Sequence, residues 1–285
     1  MKYFKETLYD SVCQEYRVDK LYFEHKTEHQ HLVIFHNAML GRVMTLDGIV
    51  QTTEVDEFIY HEMLTHLPIF AHGDVKKVLI IGGGDGAMLR EVLKHSDVEV
   101  TQVEIDQAVI DMSKEFLPNH SQGAFDNPRA TIIIRDGLEF VRDCEDTFDV
   151  IISDGTDPIG PGEALFSEEY YSHCRNRLNK GGILVTQNGV PFFQITEVTN
   201  TYQRLGLCFK DATFYSASVP TYFGGIMTFA WGTNDSNVRR TSLETLRTRY
   251  KESGLKTRYY NPEIHQAAFV LPQYVLDALS KTEHG

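Results

Sequence analysis

The chain has 285 residues, 42% of them hydrophobic and 24% charged, enough apolar mass for one large globular domain or two smaller ones; this excludes a collagen, a disordered tail and a disulfide-stapled miniprotein. Lys plus Arg total 27 against 40 for Asp plus Glu, a formal charge of −13 that repels nucleic acid and anionic lipid and favours cationic partners. No apolar run reaches the roughly 18 residues of a membrane-spanning helix and the opening MKYFKETLYD has no signal-peptide core, so a cytoplasmic location is expected.

In chain order, residues from about 3 to 53 read as extended structure. The β-rich stretches His31-Leu32-Val33-Ile34-Phe35 and Arg42-Val43-Met44-Thr45-Leu46 are separated by turn formers at Asn37, Gly41 and Asp47-Gly48, which predicts a small antiparallel unit. From Asp56 to about Leu67 the spacing becomes helical, with Ile59, Met63 and Leu67 four apart, and Pro68 is expected to close or kink the helix. Within it, His61-Glu62-Met63-Leu64-Thr65-His66 carries one residue more than a zinc-protease motif. At about 100° per residue the extra position turns the second imidazole away from the first, and no metal site is expected. The four cysteines, Cys13, Cys144, Cys174 and Cys208, lie far apart with no C-x-x-C pair, so buried thiols in a reducing compartment are expected.

From Lys77 onward, short apolar strands alternate with amphipathic stretches, the pattern of parallel βαβ units. Strands are predicted at Lys77–Ile81, Val98–Val103, Thr131–Ile134, Phe148–Ser153 and Ile183–Gln187, with turn signals at Pro128-Arg129 and Gly181-Gly182. Beyond Gly206, β-rich pieces at Thr213–Val219 and Ile226–Trp231 and a helical Ser242–Tyr250 suggest an antiparallel extension. The expected fold is α/β: an N-terminal antiparallel domain over 1–53, then a doubly wound, Rossmann-like sheet of class I methyltransferase type over 54–285, the two packed together.

The chemistry concentrates at strand ends. Val78-Leu79-Ile80-Ile81-Gly82-Gly83-Gly84-Asp85-Gly86-Ala87 is a strand running into a glycine-rich loop that opens a helix, and the second strand ends about 20 residues on at Glu104, placed for a bidentate bond to ribose hydroxyls. Gly82-x-Gly84-x-x-Ala87 nominally fits a dinucleotide site, but Asp85 argues against a pyrophosphate at that helix N-terminus and for a sulfonium or ammonium. Asp136-Gly137, after the third strand, offers a carboxylate and an amide to an adenine edge; alone the pair would be just a turn. After the fourth strand come Asp154 and Asp157, in the position where ligands bind open α/β sheets, followed by a Gly/Pro-rich run to Gly162 read as too irregular for an element and suited to a lid.

These motifs, together with Glu28-His29-Gln30, Leu46-Asp47-Gly48, Asp56-Glu57-Phe58-Ile59-Tyr60-His61-Glu62 and Tyr222-x-Gly224-Gly225, resemble the bacterial spermidine synthases, polyamine aminopropyltransferases, over nearly the whole length. The resemblance implies transfer of the aminopropyl group of decarboxylated S-adenosylmethionine to putrescine, giving spermidine and methylthioadenosine, in a homodimer or homotetramer. The sulfonium nucleoside would be a co-substrate and no separate cofactor would be needed. By the same resemblance Gln30, Asp85, Glu104, Asp136, Gly137 and Pro161 would hold the donor, while Tyr60, His61, Asp85, Asp154, Asp157 and Tyr222 would line the amine sites. Asp154 would accept the proton.

An alkyl ammonium with a pKa near 10 has no lone pair at neutral pH, so such a site must take up a proton and hold nitrogen and donor carbon about 3–3.5 Å apart in line. The ordinary carboxyl pKa of about 3.9 is low for this task, and burial beside Tyr60 and other acids is expected to raise that of Asp154. A small-molecule methyltransferase would share the sheet, glycine loop and Glu104 without needing the paired strand-end acids. A polyamine or nucleoside sensor would bind and not turn over.

Overall fold

Alternating apolar residues organise the first fifty positions of the computed structural model, which describes residues 3–156 and 160–282. Tyr3–Lys5 (β1) and Glu15–Arg17 (β2) pair as an antiparallel ribbon. Lys20–Lys26 (β3), His31–Asn37 (β4), Gly41–Leu46 (β5) and Ile49–Thr53 (β6) form an antiparallel sheet in sequence order. Asp47 (φ 49°) and Gly48 (φ 83°) make the tight turn from β5 to β6, both in the left-handed region that such a hairpin requires. Val33, Phe35, Val43 and Val50 face the ribbon and pack on Phe4 and Tyr16. On the other face Leu32, Ile34, Met44 and Leu46 pack on Val109 and Leu117 of the following unit, so period-two alternation fastens this sheet on both sides.

Glu57–His72 (α1) leads into the main unit. Its elements are Lys77–Gly82 (β7), Ala87–Leu93 (α2), Glu99–Glu104 (β8), Gln107–Phe116 (α3), Pro118–Ser121 (α4), Ala130–Ile134 (β9), Gly137–Asp143 (α5) and Phe148–Asp154 (β10). A 3₁₀ turn over Gly160–Phe166 is followed by Glu168–Arg177 (α6), Leu178–Gln187 (β11), Pro191–Cys208 (α7), Asp211–Ala217 (β12) and Met227–Thr233 (β13). Ser236–Arg239 (α8), Leu243–Ser253 (α9), Pro262–Ala268 (α10) and Gln273–Thr282 (α11) complete the chain.

The main sheet runs β12-β13-β11-β10-β7-β8-β9; β7 to β11 are parallel, and β13 and β12 extend the sheet antiparallel. The strands interleave two cores. Val78, Ile80, Val150 and Ile152 face α1 and α2, whereas Leu79, Ile81 and Ile151 face the side that carries α5, α6 and α7. Strand order reverses between β7 and β10, and the crevice at their carboxyl ends is the switch point of an open α/β sheet.

Four sequence expectations are corrected. Pro68 neither closes α1 nor ends it: the helix continues to His72 and stops at Gly73 (φ 86°), because every position from Ile59 to Ala71 is buried against the sheet, α2 and α9. The Gly/Pro-rich run is not wholly irregular, since Gly160–Phe166 forms the 3₁₀ turn. Helices α8, α10 and α11 had no counterpart in the reading of the C-terminal region. Cys174 and Cys208 are buried thiols as expected, but Cys13 is exposed and Cys144 half-buried. Among the described residues no helix is long and apolar enough to cross a membrane.

Candidate active site

The site is built on the pairing of the two central strands. In the parallel register Gly82 at the end of β7 stands opposite Asp154 at the end of β10. Gly82 has φ 87°, and a Cβ on it would lie 2.1 Å from the carbonyl oxygen of Asp154; only glycine lets the chains approach this closely. The glycine loop and Asp154 therefore face the same crevice.

Helix α1 brings Tyr60 into that crevice. Its hydroxyl donates to Asp154 Oδ1 at 2.5 Å, and its ring meets those of Tyr222 and His61 edge-on at 5.8 and 5.2 Å. Tyr222 is fixed in turn by donating to the Gln51 carbonyl of β6 at 2.6 Å. Asp85 uses Oδ1 to accept the Ala87 amide at 2.9 Å, a local cap, while Oδ2 lies 3.5 Å from His61 Nε2 and 4.0 Å from His120 Nε2. The cap reading and the site reading of Asp85 thus hold for different oxygens.

Burial and neighbouring charge set the protonation of these groups. Burial raises the Asp154 carboxyl to about 6; His61 opposes the rise, Asp85 adds to it, and the Tyr60 hydrogen bond again opposes it. Burial alone would neutralise His61, but Asp85 and Glu57 outweigh it and hold the imidazolium up to about 9. Tyr60 is pushed well above the usual phenol value, chiefly by burial and then by Asp154, so it is a donor at neutral pH. A half-buried carboxylate raised toward neutrality and held by a phenol is equipped to accept a proton from a bound cation.

The other end of the same cavity is lined by Gln30, Glu104, Asp136 and Gly137. Glu104, at the end of β8, accepts the Asp106 amide at 3.0 Å through Oε1, while a Cβ on Gly84 would lie 2.9 Å from Oε2. Burial lifts its carboxyl to about 7, the Asp106 amide notwithstanding. Gln30 reaches over from the β3–β4 turn and donates to Asp106 Oδ2 at 3.2 Å. Asp136 caps α5 by accepting the Glu139 amide at 2.9 Å, so it is a helix cap on the cavity wall. Asp157 lies outside the described residues, and Pro161 is described only as backbone of the 3₁₀ turn.

His61 and His66, the pair set aside as zinc ligands, engage separate partners. His66 contacts Glu91 at 2.9 Å and His95 at 3.0 Å, away from His61. Sequence reasoning missed Glu57, Arg90 and His120, which surround His61 and Asp85 from α1, α2 and α4. For Glu57 the signal was present, because it precedes His61 by four positions on one helix face.

The parallel sheet, glycine loop and strand-end acids define a Rossmann-like enzyme of class I methyltransferase type. Residues 57–242 match the family model of the spermine/spermidine synthase domain, and residues 3–54 that of the spermidine synthase tetramerisation domain. The chain is 62% identical to polyamine aminopropyltransferase 1 of Pseudomonas aeruginosa over the full length of both chains, and 57% identical to the polyamine aminopropyltransferase of Salmonella arizonae over 96% of each. A crystal structure of a spermidine synthase in complex with the transition state analogue AdoDATO superposes with a TM-score of 0.93 at 37% identity, covering 98% of this chain and 95% of the other. The spermidine synthase of Thermotoga maritima gives 0.89 at 36%, covering 98% and 94%. The chain belongs to the spermine/spermidine synthase family of enzymes, the polyamine aminopropyltransferases.

Proposed function

We propose that the enzyme is a spermidine synthase, which transfers the aminopropyl group of decarboxylated S-adenosylmethionine to putrescine and releases spermidine and methylthioadenosine. One observation carries the reading: a half-buried, Tyr60-bound Asp154 shares a cavity with Asp85 at one end and with Glu104 and Asp136 at the other. An acidic pocket suits an amine, and the far end offers a carboxylate to ribose and a carboxylate–amide edge to adenine. Asp154 takes the proton of the attacking ammonium. The nitrogen then displaces the neutral thioether in line, and no redox step is needed. Asp85 receives the donor's ammonium, and Tyr60 and Tyr222 wall the acceptor. Asp157, with Asp154, would complete two anionic stations for a dication.

The donor is a co-substrate, and no separate cofactor or metal has a role in this scheme. Homodimers or homotetramers in the cytoplasm are proposed, the assembly resting on the match of residues 3–54 to the tetramerisation domain. End-point detection of methylthioadenosine, with both sulfonium donors and amines of three to five carbons, tests the reading. Putrescine with the decarboxylated donor should give one spermidine per methylthioadenosine, with cadaverine slower and spermidine poorer still. Because one methylene is worth only about 1–3 kcal/mol, cadaverine should be slowed and not excluded. Methylated products from S-adenosylmethionine would make the protein a methyltransferase, and butylamine matching putrescine would remove the second anionic station.

A further inference from the structure

We infer that Glu57, clamped by Arg90, is a positioning residue for the amine pocket: it fixes the His61 ring with Nε2 toward Asp85 and gives that ring the charge which offsets the neighbouring carboxylates of Asp85 and Asp154. The inference deepens the reading of Asp154 as proton acceptor and rests on it.

The geometry begins one helical turn before His61. Glu57 Oε2 lies 2.8 Å from His61 Nδ1, with side-chain exposures of 9% for Glu57 and 4% for His61, so the contact is largely shielded from solvent. Arg90 donates to both Glu57 oxygens, at 2.9 and 3.2 Å. Arg90 is itself fastened to the carbonyls of Asn119 and His120, at 3.1 and 2.6 Å, and to Glu91 Oε1 at 2.9 Å. The carboxylate therefore cannot swing away. With a carboxylate on Nδ1 that nitrogen carries a proton, and Nε2 is left facing Asp85 at 3.5 Å.

The groups around His61 are Glu57 and Tyr60 from its own helix, Asp85 from the loop after β7, Asp154 from the end of β10, His120 from α4 and Arg90 from α2. His120 adds no competing charge, since burial lowers its affinity for a proton and its Nε2 is occupied by Thr52 Oγ1 at 3.0 Å. Three acids, Asp85, Glu57 and Asp154, therefore hold the ring in its cationic form. Asp154 must be ionised to accept a proton; Asp85 works against that and cationic His61 works for it. Neutralising Glu57 should release His61 to a neutral imidazole, and Asp154 should then keep its proton to higher pH. A merely structural Glu57, balancing Arg90, would lower the amount of folded enzyme or its rate without displacing the pH profile.

The experiment uses Glu57→Gln, which keeps the size and one oxygen acceptor. Histidine-labelled enzyme is titrated by NMR, with the His61 resonance identified by its loss in His61→Gln, and kcat/KM for the diamine is followed against pH. In Glu57→Gln the His61 midpoint should fall from about 9 to below about 6, so that the ring is neutral where Asp154 titrates, and the acid limb of kcat/KM should rise by about half to one unit. In the His61→Gln background the further change Glu57→Gln should move the limb no more. Glu57→Asp, which keeps the charge but withdraws it from Nδ1, should give a smaller shift in the same direction and serves if the amide variant fails to fold. A His61 midpoint that stays above about 6, or a limb shift that persists without His61, overturns the inference. Absence of aminopropyl transfer in the parent enzyme would defeat the functional reading instead, and the NMR titration would still decide whether Glu57 holds His61.

Discussion

The Tyr60 hydroxyl, on the first helix, donates to Asp154 Oδ1, at the end of the fourth strand of the parallel sheet, at 2.5 Å and across 94 positions of sequence. The bond aims the carboxylate into the cavity and favours its ionised form. Tyr60→Phe should therefore lower kcat by about tenfold and move the acid limb of kcat/KM to higher pH, because one of the two influences that hold the Asp154 carboxyl down is lost. Rate against pH for parent and variant checks both, and an unmoved limb would deny the bond any influence on the carboxylate.

Glu57 and His61 also leave a signature in stability. Glu57 is lowered from 4.5 to about 2 against burial, by His61 and then Arg90, so its contribution is complete above pH 4.5 and is lost as pH falls through about 2. His61 is raised from 6.5 to about 9, so its contribution is complete below pH 6.5 and is lost as pH rises through about 9. The stability difference between the parent and Glu57→Gln should be greatest between those two limits. Urea unfolding near pH 3, 5.5 and 9.5 measures it, and a difference independent of pH would show that the pair is not charged as described.

Donor affinity should follow Glu104. On the proposed function its carboxyl, raised by burial to about 7, accepts both ribose hydroxyls in its ionised form, so the decarboxylated donor should bind more weakly as pH falls below about 7. Calorimetry across that range should show the slope for the parent and a flat, weaker profile for Glu104→Gln. Equal slopes would place the titrating group elsewhere.

Gly82 answers to geometry alone. Its φ of 87° and the 2.1 Å that would separate an added Cβ from the Asp154 carbonyl oxygen leave no room for any other residue, and the obstacle is backbone. Gly82→Ala should cost about 3 kcal/mol or more, read as a fall in the urea midpoint, with loss of activity because Asp154 moves. A stable, active variant would contradict the strand register.

The five parallel strands could be read from the sequence because each carries a short apolar run, although β11 begins at Leu178 and takes in the Gly181-Gly182 pair expected as the turn before it, and the strand ends carry the glycine loop, Glu104, Asp136 and Asp154. Long-range polar pairing left no such trace. Glu62 accepts the amides of Arg258, Tyr259 and Tyr260 at 2.8–3.1 Å and ties the C-terminal segment to α1, a partnership that no spacing announces. Pro68 misled for the opposite reason: a local breaker signal was overridden by packing on every side of the helix. Arg90 and His120 were invisible as site residues because Arg90 meets Glu57 and His120 meets Asp85 only once three helices come together.

The central claim is that Asp154 takes the proton of the attacking amine, and the most direct measurement is single-turnover transfer by Asp154→Asn, paired with the donor dissociation constant. The amide keeps the shape and can still meet the Tyr60 hydroxyl, but cannot accept the proton. Transfer should slow by roughly 10²–10⁴ while donor affinity stays within a few-fold of the parent. Near-parental transfer by this variant would contradict the assignment, and with it the account of why Tyr60, His61 and Glu57 are arranged around this carboxylate.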